Sequence, residues 1–205
     1  MAKIKLTKGE LKKQRDALKQ YERYLPTLQL KKQQLQIEIL RQLAVWDEKN
    51  HQEIMRRSAI ENWAGLLSEP QIDIRKWIKA EKPIKGTKNV AGVDIPVFDH
   101  IEFVAAEYDF FIVPLWVDSA IEALRSLASI LEEKLVIEAG INILRHELRI
   151  TTQRVNLFEK VKIPEAQEAI RRIKIYIGDQ MTNAIGRSKM AKRKIEELVL
   201  QGAAV

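Results

Sequence analysis

Apolar residues recur every seven positions through the first 67 residues, and eight of the ten positions in this row are apolar. The row consists of Ile4, Leu11, Leu18, Leu25, Lys32, Ile39, Trp46, Glu53, Ile60 and Leu67. Half a heptad away lie Tyr21, Leu28, Leu35 and Trp63. A seam of this length and period predicts a long helix in a coiled coil. Within it, Pro26 predicts either a bend or a helix that begins near Thr27.

A second seam follows Pro114. Its first row is Val113, Ala120, Leu127, Lys134, Ile141, Leu148, Val155 and Lys162. Its second row is Trp116, Ala123, Ile130, Ile137, Leu144, Thr151 and Phe158. Beyond this point the apolar positions continue as Ile163, Ile170, Ile177, Ala184, Ala191 and Leu198. The same periodicity therefore predicts a second long helix.

The second seam changes phase at Pro164. The step from Val155 to Ile163 is eight residues instead of seven. Proline has no amide hydrogen, and its ring clashes with the carbonyl four residues earlier, here that of Lys160. Glu165 directly after the proline is typical of a first helical turn. The sequence therefore predicts two helical segments joined at a kink near Pro164.

The segment between the seams, residues 69–112, is richer in proline and glycine. Apolar residues alternate around the sequence AGVD, which predicts a β-hairpin with Asn89 and Gly92 near its tip. The alternating residues are Val90, Val93, Ile95 and Val97. A small local core is predicted from Ile101, Phe103, Val104, Phe110, Phe111 and Ile112.

These elements predict a fold dominated by α-helix. The N- and C-terminal segments form a long antiparallel two-helix coiled coil, and a short insert with a β-hairpin joins them. The predicted divisions are an N-terminal helix over 1–68, an insert over 69–112 and a kinked C-terminal helix over 113–205. Both chain ends then lie at one end of the coiled coil and the insert at the other.

Composition agrees with helices and excludes several classes of protein. The chain of 205 residues is 31% charged and 46% hydrophobic, with 8 Gly, 6 Pro and no Cys. It is too apolar for disorder and has no thiolate metal site or disulfide framework. The N-terminal sequence lacks the apolar core of a signal peptide, and no apolar run is long enough to span a membrane. We therefore expect a soluble, cytoplasmic protein.

The net charge of +7 is unevenly placed. Residues 1–32 and 187–194 are strongly basic, whereas residues 90–119 contain acids but no Lys or Arg. The basic ends are consistent with a solvated helix face, a partner with acidic walls, or phosphate binding.

The sequence predicts no catalytic, cofactor-binding or metal-binding residue. His51, His100 and His146 are far apart, and the sequence RHELR lacks the second histidine of a zinc-protease helix. The glycines of KGTKNVAG do not have the order of a phosphate-binding loop. Trp46, Trp63 and Trp116 have the spacing of packing residues in the seam.

The sequence RVNLFEKVKIP resembles the signature R-V-N-A-L-E-x-V-x-I-P of the D subunit of the V-type and archaeal A-type rotary ATPases. The matching residues are Arg154, Val155, Asn156, Glu159, Val161, Ile163 and Pro164. Leu157 and Phe158 depart from it but remain apolar. The order of helices, the sequence G-V-x-I-P from Gly92 to Pro96 and the basic tail are also similar to that family.

This resemblance implies a non-catalytic central rotor shaft, without a cofactor, that couples a catalytic hexamer to ion translocation in the membrane sector. Its partners are the catalytic and regulatory subunits of the head, the small F subunit, and the funnel-shaped subunit on the membrane rotor ring, with no nucleic acid and no membrane insertion. The implied location is cytoplasmic and peripheral to the membrane. The residues implied to contact the hexamer bore are Lys5, Lys8, Lys12, Arg187, Lys189, Lys192, Arg193 and Lys194. A coiled-coil adaptor or tether and a basic helical nucleic-acid binder remain alternative hypotheses.

Overall fold

The first long helix, α1, begins at Lys8 and is capped by Thr7. The backbone amide of Glu10 donates to the Thr7 hydroxyl oxygen at 3.3 Å, which satisfies one of the free amides at the helix N-terminus. The helix continues without interruption to Glu61, with Pro26 inside it. The alternative prediction of a helix beginning near Thr27 is therefore wrong.

The computed structural model describes residues 5–68, 74–105, 108 and 113–202. The predicted seam residue Ile4 and the predicted core residues Phe110, Phe111 and Ile112 lie outside these ranges. Elements in chain order are α1 Lys8–Glu61, a 3-10 helix Ala64–Ser68, α2 Arg75–Ile78, β1 Ala80–Val90, β2 Val93–Phe103, α3 Trp116–Leu157, a π-helical turn Phe158–Lys162 and α4 Ile163–Gly202. The predicted fold class is confirmed, whereas the division into 1–68, 69–112 and 113–205 stays a prediction.

The chain forms two compact units. The first, called here the hairpin unit, comprises Leu30–Thr152 and so contains the β-hairpin. The second, called here the terminal unit, comprises Met1–Gln29 and Gln153–Val205. Each is described by itself below.

In the hairpin unit, α1 and α3 run antiparallel. Lys31 forms an ion pair with Glu147 at 3.1 Å, and Lys49 forms one with Glu133 at 2.7 Å. Residues later in α1 therefore pair with residues earlier in α3. The predicted seams form the contact, because every row position of α1 from Lys32 to Ile60 is buried or half-buried. The row ends there, since Leu67 is exposed and lies in the 3-10 helix.

The predicted β-hairpin is confirmed. β1 and β2 pair antiparallel, and residues 91–92 form the two-residue turn between them. Ala91 has φ of 51° and Gly92 has φ of 76°, as the turn type that matches strand twist requires. Asn89 stabilises the turn, because its side-chain oxygen accepts from the Gly92 amide at 3.1 Å and its amide nitrogen donates to Asp94 at 2.6 Å.

Two clusters form the core of the hairpin unit. In the first, Ile95 of β2 packs against Leu35 and Ile39 of α1 and Leu144 of α3. The second surrounds the start of α3 and consists of Ile74, Val117, Ala120 and Ile121, with Trp63, Trp77 and Trp116 packed against it. Of the predicted local core, Ile101 and Phe103 are half-buried and Val104 is exposed.

Candidate interaction surfaces

Two charged residues that occupy row positions in the otherwise apolar seams, Glu53 and Lys134, form an ion pair with each other. Lys134 of α3 lies 2.7 Å from the buried carboxylate of Glu53 and donates to the side-chain oxygen of Asn50 at 2.6 Å. The ammonium also lies 4.8 Å from the ring centroid of Trp46. A polar pair inside an apolar seam favours one alignment of the helices, because any shift leaves both charges unpaired.

A second charged contact attaches the β-hairpin to α1. Glu38 is buried and lies 3.5 Å from the Lys88 ammonium of β1. A hydrogen bond from the Gln42 side chain, together with the charge of Lys88, lowers the pKa of Glu38 despite its burial. The hairpin is therefore fixed on this side of α1 by a carboxylate that stays ionised.

The predicted phase change at Pro164 takes the form of the π-helical turn. The amide of Ile163 donates to the carbonyl of Phe158, five residues earlier, so one more residue is accommodated than in an α-turn. The ring of Phe158 stacks on Tyr21 of α1, with centroids 5.4 Å apart. This turn explains the eight-residue step from Val155 to Ile163. Sequence periodicity located the step but did not show which hydrogen bond changes there.

The signature residues surround this turn. Val155 is buried, Ile163 is half-buried, and Pro164 is exposed in the first turn of α4. The other four, Arg154, Asn156, Glu159 and Val161, are exposed. π-turns and prolines are both common causes of helix kinks.

In the terminal unit, the end of α4 is not covered. Ile173 is completely buried and Ile177 is half-buried, but residues 178–197 are all exposed. The Tyr21–Phe158 stack places α1 beside the π-helical turn. Because α1 begins at Lys8, it extends along only the first part of α4. The predicted seam positions Ala184 and Ala191 are therefore not buried, and the side chain of Leu198 lies outside the described set.

The uncovered segment of α4 carries an apolar stripe. Ile177, Met181, Ala184, Ala191 and Ile195 recur at helical spacing on one face. Met181 and Ile195 are 53% and 62% exposed, which is unusual for side chains of this kind in repeated positions. The stripe therefore has the character of a contact surface.

The predicted basic residues lie at the start of α1 and in the later part of α4. Lys5 precedes α1, Lys8 and Lys12 lie in its first turns, and all three are exposed. On α4 the exposed basic residues are Arg187, Lys189, Lys192, Arg193 and Lys194. Lys192 and Arg193 pair with Glu196 and Glu197 on the same helix, at 3.7 and 3.1 Å. The other three have no carboxylate within 4 Å among the described residues, so they keep their charge available for a partner.

Nearer the π-turn, Glu168 organises two guanidinium groups. It accepts hydrogen bonds from Arg171 at 2.8 and 3.0 Å and from Arg172 at 2.9 Å. These bonds, those of Arg171 first, lower the pKa of Glu168 to about 2. Its carboxylate is therefore ionised at any physiological pH.

Sequence reasoning missed a groove in the hairpin unit. It has a volume of about 560 Å³ and is lined by Gln33, Gln36, Ile37, Ile39, Leu40 and Leu148. Ile37 and Leu40 are 52% and 66% exposed. The available signal was that Ile37 and Leu40 are apolar, three residues apart and outside the predicted seam.

A further exposed apolar group adjoins the second core cluster. Leu115 directly precedes α3 and is 92% exposed, while Leu66 and Leu67 of the 3-10 helix are each more than a third exposed. These residues lie in the part of the hairpin unit where the connecting segments leave the long helices.

Within the described residues, no three His, Asp or Glu side chains are grouped so that they could hold a metal ion. The helices described here also include none with the length and apolarity needed to traverse a bilayer. The exposed apolar and basic faces of the long helices are typical of an interaction subunit of a larger assembly.

Comparison with known proteins specifies the assembly. Residues 10–193 match the family of ATP synthase D subunits. The V-type ATP synthase D subunit of Borreliella burgdorferi is 47% identical over 195 residues, which cover 95% of this chain and 96% of the relative. Those of Chlamydia abortus and Chlamydia caviae are 35% and 34% identical, each over 96% of this chain and 95% of the relative.

The chain therefore belongs to the ATP synthase D-subunit family, and it is a subunit of a rotary ATPase. The resemblance inferred from the sequence around Pro164 is confirmed. Membership of this family favours the rotary subunit over an unrelated adaptor and over a nucleic-acid binder.

Proposed function

We propose that this chain is the non-catalytic central shaft of a V-type ATP synthase. Its rotation couples ATP synthesis or hydrolysis in the catalytic hexamer to ion translocation in the membrane sector. The chain is peripheral to the membrane and acts on the cytoplasmic side. The observation that carries the proposal is the uncovered end of α4, with its apolar stripe and basic residues, in a member of this family.

This end of α4 is proposed to contact the bore of the catalytic hexamer. An apolar stripe that continues a helical seam requires an apolar partner surface, and uncompensated Arg187, Lys189 and Lys194 favour acidic walls. The exposed lysines at the start of α1, Lys5, Lys8 and Lys12, are assigned to the same contact. Coupling is then mechanical, because the orientation of the shaft biases which state each catalytic interface adopts.

The remaining partners are assigned to the hairpin unit. The exposed apolar residues Leu66, Leu67 and Leu115 are proposed to dock on the funnel-shaped subunit of the membrane rotor ring. The small F subunit is proposed to bind along the helices. The paired helices suit torque transmission, since ion pairs such as Lys134–Glu53 oppose sliding of one helix along the other.

The test is assembly of the complex with a charge-reversed chain. Arg187, Lys189 and Lys194 are replaced together by Glu, and the complex is purified through a tag on a membrane-ring subunit. We expect the catalytic subunits to be lost while the chain stays bound to the ring. Arg56→Glu is the matched control, because Arg56 is also exposed and without an ion pair among the described residues but lies in the hairpin unit.

Rotation itself is measured by attaching a bead to this chain in an immobilised head complex and adding ATP. Unidirectional rotation is expected. A head complex that hydrolyses ATP while the attached bead stays still, or full retention of the catalytic subunits by the charge-reversed chain, would refute the proposal.

A further inference from the structure

We propose that Arg125 of α3 is a positioning residue for attachment to the membrane sector, because it fixes the segments that support three exposed leucines. These leucines, called here the leucine patch, are Leu66, Leu67 and Leu115. The inference rests on the proposed function in one respect, namely that the leucine patch docks on the membrane rotor ring. How Arg125 holds the patch follows from its contacts within the chain.

Arg125 joins two separate connecting segments to α3. Its guanidinium donates two hydrogen bonds to the carbonyl of Trp77 in α2, at 3.1 Å from Nε and 2.7 Å from Nη2. Nη2 also donates to the carbonyl of Val104, directly after β2, at 2.6 Å. The guanidinium carbon lies 5.2 Å from the ring centroid of Phe103, the last residue of β2. One side chain therefore fixes the segment that enters the β-hairpin and the segment that leaves it.

These contacts require a guanidinium group. Two carbonyl oxygens on different segments accept from donors that lie in one rigid plane, and the same group lies over an aromatic ring. Hydrogen bonds from a charged donor are also stronger than those between neutral groups. A lysine has the same charge, but its ammonium group does not reproduce the fork of donors. Arg125 therefore has a role that charge alone does not fill.

Trp77 connects Arg125 to the leucine patch. Its carbonyl is held by Arg125, and its side chain packs against the second core cluster. Trp63 and Trp116 pack against the same cluster. Trp63 directly precedes the 3-10 helix that carries two leucines of the patch, and Trp116 directly follows the third. Displacement of Trp77 would therefore disturb the residues that flank all three leucines.

A second polar contact of α3 supports the same tryptophan. Asp118 lies seven residues before Arg125, which is about two helical turns, so both lie on one face of α3. The Asp118 carboxylate accepts a hydrogen bond from the Tyr108 hydroxyl. The Tyr108 ring lies with its centroid 4.8 Å from that of Trp77. Trp77 is thus held at its carbonyl by Arg125 and at its ring by a tyrosine that α3 also binds.

A purely stabilising role for Arg125 gives a different experimental result. A residue that only stabilises the fold changes the fraction of unfolded chain, and it leaves the geometry and affinity of the folded chain unchanged. A positioning residue changes the geometry of the patch in the folded chain and lowers its affinity for the partner. The two roles are distinguished by measurements on folded protein.

The first test measures the geometry of the patch without any partner. The chain has no Cys, so Leu67→Cys and Leu115→Cys together provide two sites for spin labels. We expect Arg125→Met to broaden or shift the distance distribution between the labels, with folding verified by circular dichroism. Arg145→Met is the matched control, because Arg145 is an exposed arginine of the same helix outside the second core cluster. An unchanged distribution in folded Arg125→Met would overturn the inference. Arg125→Gln replaces this variant if Arg125→Met does not fold.

The second test measures affinity of the full chain for the detergent-solubilised membrane sector. Arg125→Met is expected to weaken binding at least about tenfold, and Arg125→Lys should not restore it. In a double-mutant cycle, Leu115→Ala should weaken binding of the original chain but have little further effect in Arg125→Met, because the leucine is already misplaced. Undiminished affinity of either folded Arg125 variant, or effects in the cycle that simply add, would overturn the inference.

Leu66→Glu combined with Leu115→Glu separates this inference from the proposed function. If this variant loses the membrane sector while folded Arg125→Met binds normally, the leucine patch docks and the role assigned to Arg125 is wrong. If it binds the membrane sector normally while Arg125→Met still changes the label distances, the docking assigned to the patch is wrong, although Arg125 does set its geometry.

Discussion

Replacing Lys134 by Met tests whether the polar pair in the seam sets the alignment of α1 and α3. Met has an unbranched side chain of similar length to Lys, but it lacks the ammonium group that bonds Glu53 and Asn50 at 2.7 and 2.6 Å. The Glu53 carboxylate, whose side chain is 12% exposed, would then have only the exposed Arg57 at 3.8 Å among the described residues. The perturbation therefore leaves a nearly buried charge with a poor partner.

The size of the effect follows from that burial. Removing one partner of a fully buried ion pair costs about 3–5 kcal/mol, and hydrogen bonds to charged groups contribute about 1.5–3 kcal/mol. Residual exposure and Arg57 reduce these values, so Lys134→Met should lower the free energy of unfolding by about 2–3 kcal/mol. Adding Glu53→Leu removes the unpaired charge, and the double variant should come within about 1 kcal/mol of the original protein.

The assay is urea unfolding followed by circular dichroism and by tryptophan fluorescence, since Trp46 contacts Lys134. Coincident transitions are required before free energies are compared. Lys192→Met is the matched control, because Lys192 pairs with Glu196 at 3.7 Å on an exposed helix face and should contribute less than about 1 kcal/mol. The reasoning is refuted if Lys134→Met has no larger effect than this control, or if the effects of the two seam substitutions simply add.

Three other predictions concern the π-turn, the acid response and the hairpin. Pro164→Ala restores a backbone donor beside the π-turn. It should raise the free energy of unfolding by up to about 3 kcal/mol and weaken coupling of ATP turnover to ion transport. Unchanged coupling in reconstituted vesicles would make the kink incidental. Because Arg171 and Arg172 lower the pKa of Glu168 to about 2, its stabilising contribution is complete above the ordinary value of 4.5 and is lost as pH falls towards 2. NMR titration should locate this pKa, and Glu168→Gln should remove that part of the acid response; a carboxyl titrating near 4.5 would contradict it. Asn89→Ala removes both hydrogen bonds that hold the hairpin turn and should cost about 1–2 kcal/mol in urea unfolding; no loss would mean that the turn does not need them.

Much of the fold follows from periodicity. The seven-residue rows located both long helices, and even their polar members were informative, because Glu53 and Lys134 pair across the seam. The alternation around Gly92 located the β-hairpin. The eight-residue step at Pro164 located the π-turn, although counting residues does not show which hydrogen bond changes.

Other features depend on what lies opposite each residue, which a single helix pattern does not record. Ala184 and Ala191 have seam spacing, but α1 begins too late along the chain to cover them. The groove beside Leu40 is lined by residues of both α1 and α3, so neither helix pattern alone records it. Which residues contact the other members of the complex depends on surfaces that belong to other chains.

The bare end of α4 also has a consequence for how the protein is produced. A newly made copy displays Met181, Ile185 and Ile195 to water until something encloses them, and such side chains attract chaperones, proteases and other unfolded chains. Under the proposed contact with the head, synthesis in excess of the head subunits would leave copies of this chain prone to degradation, so balanced expression of the subunits would matter to the cell.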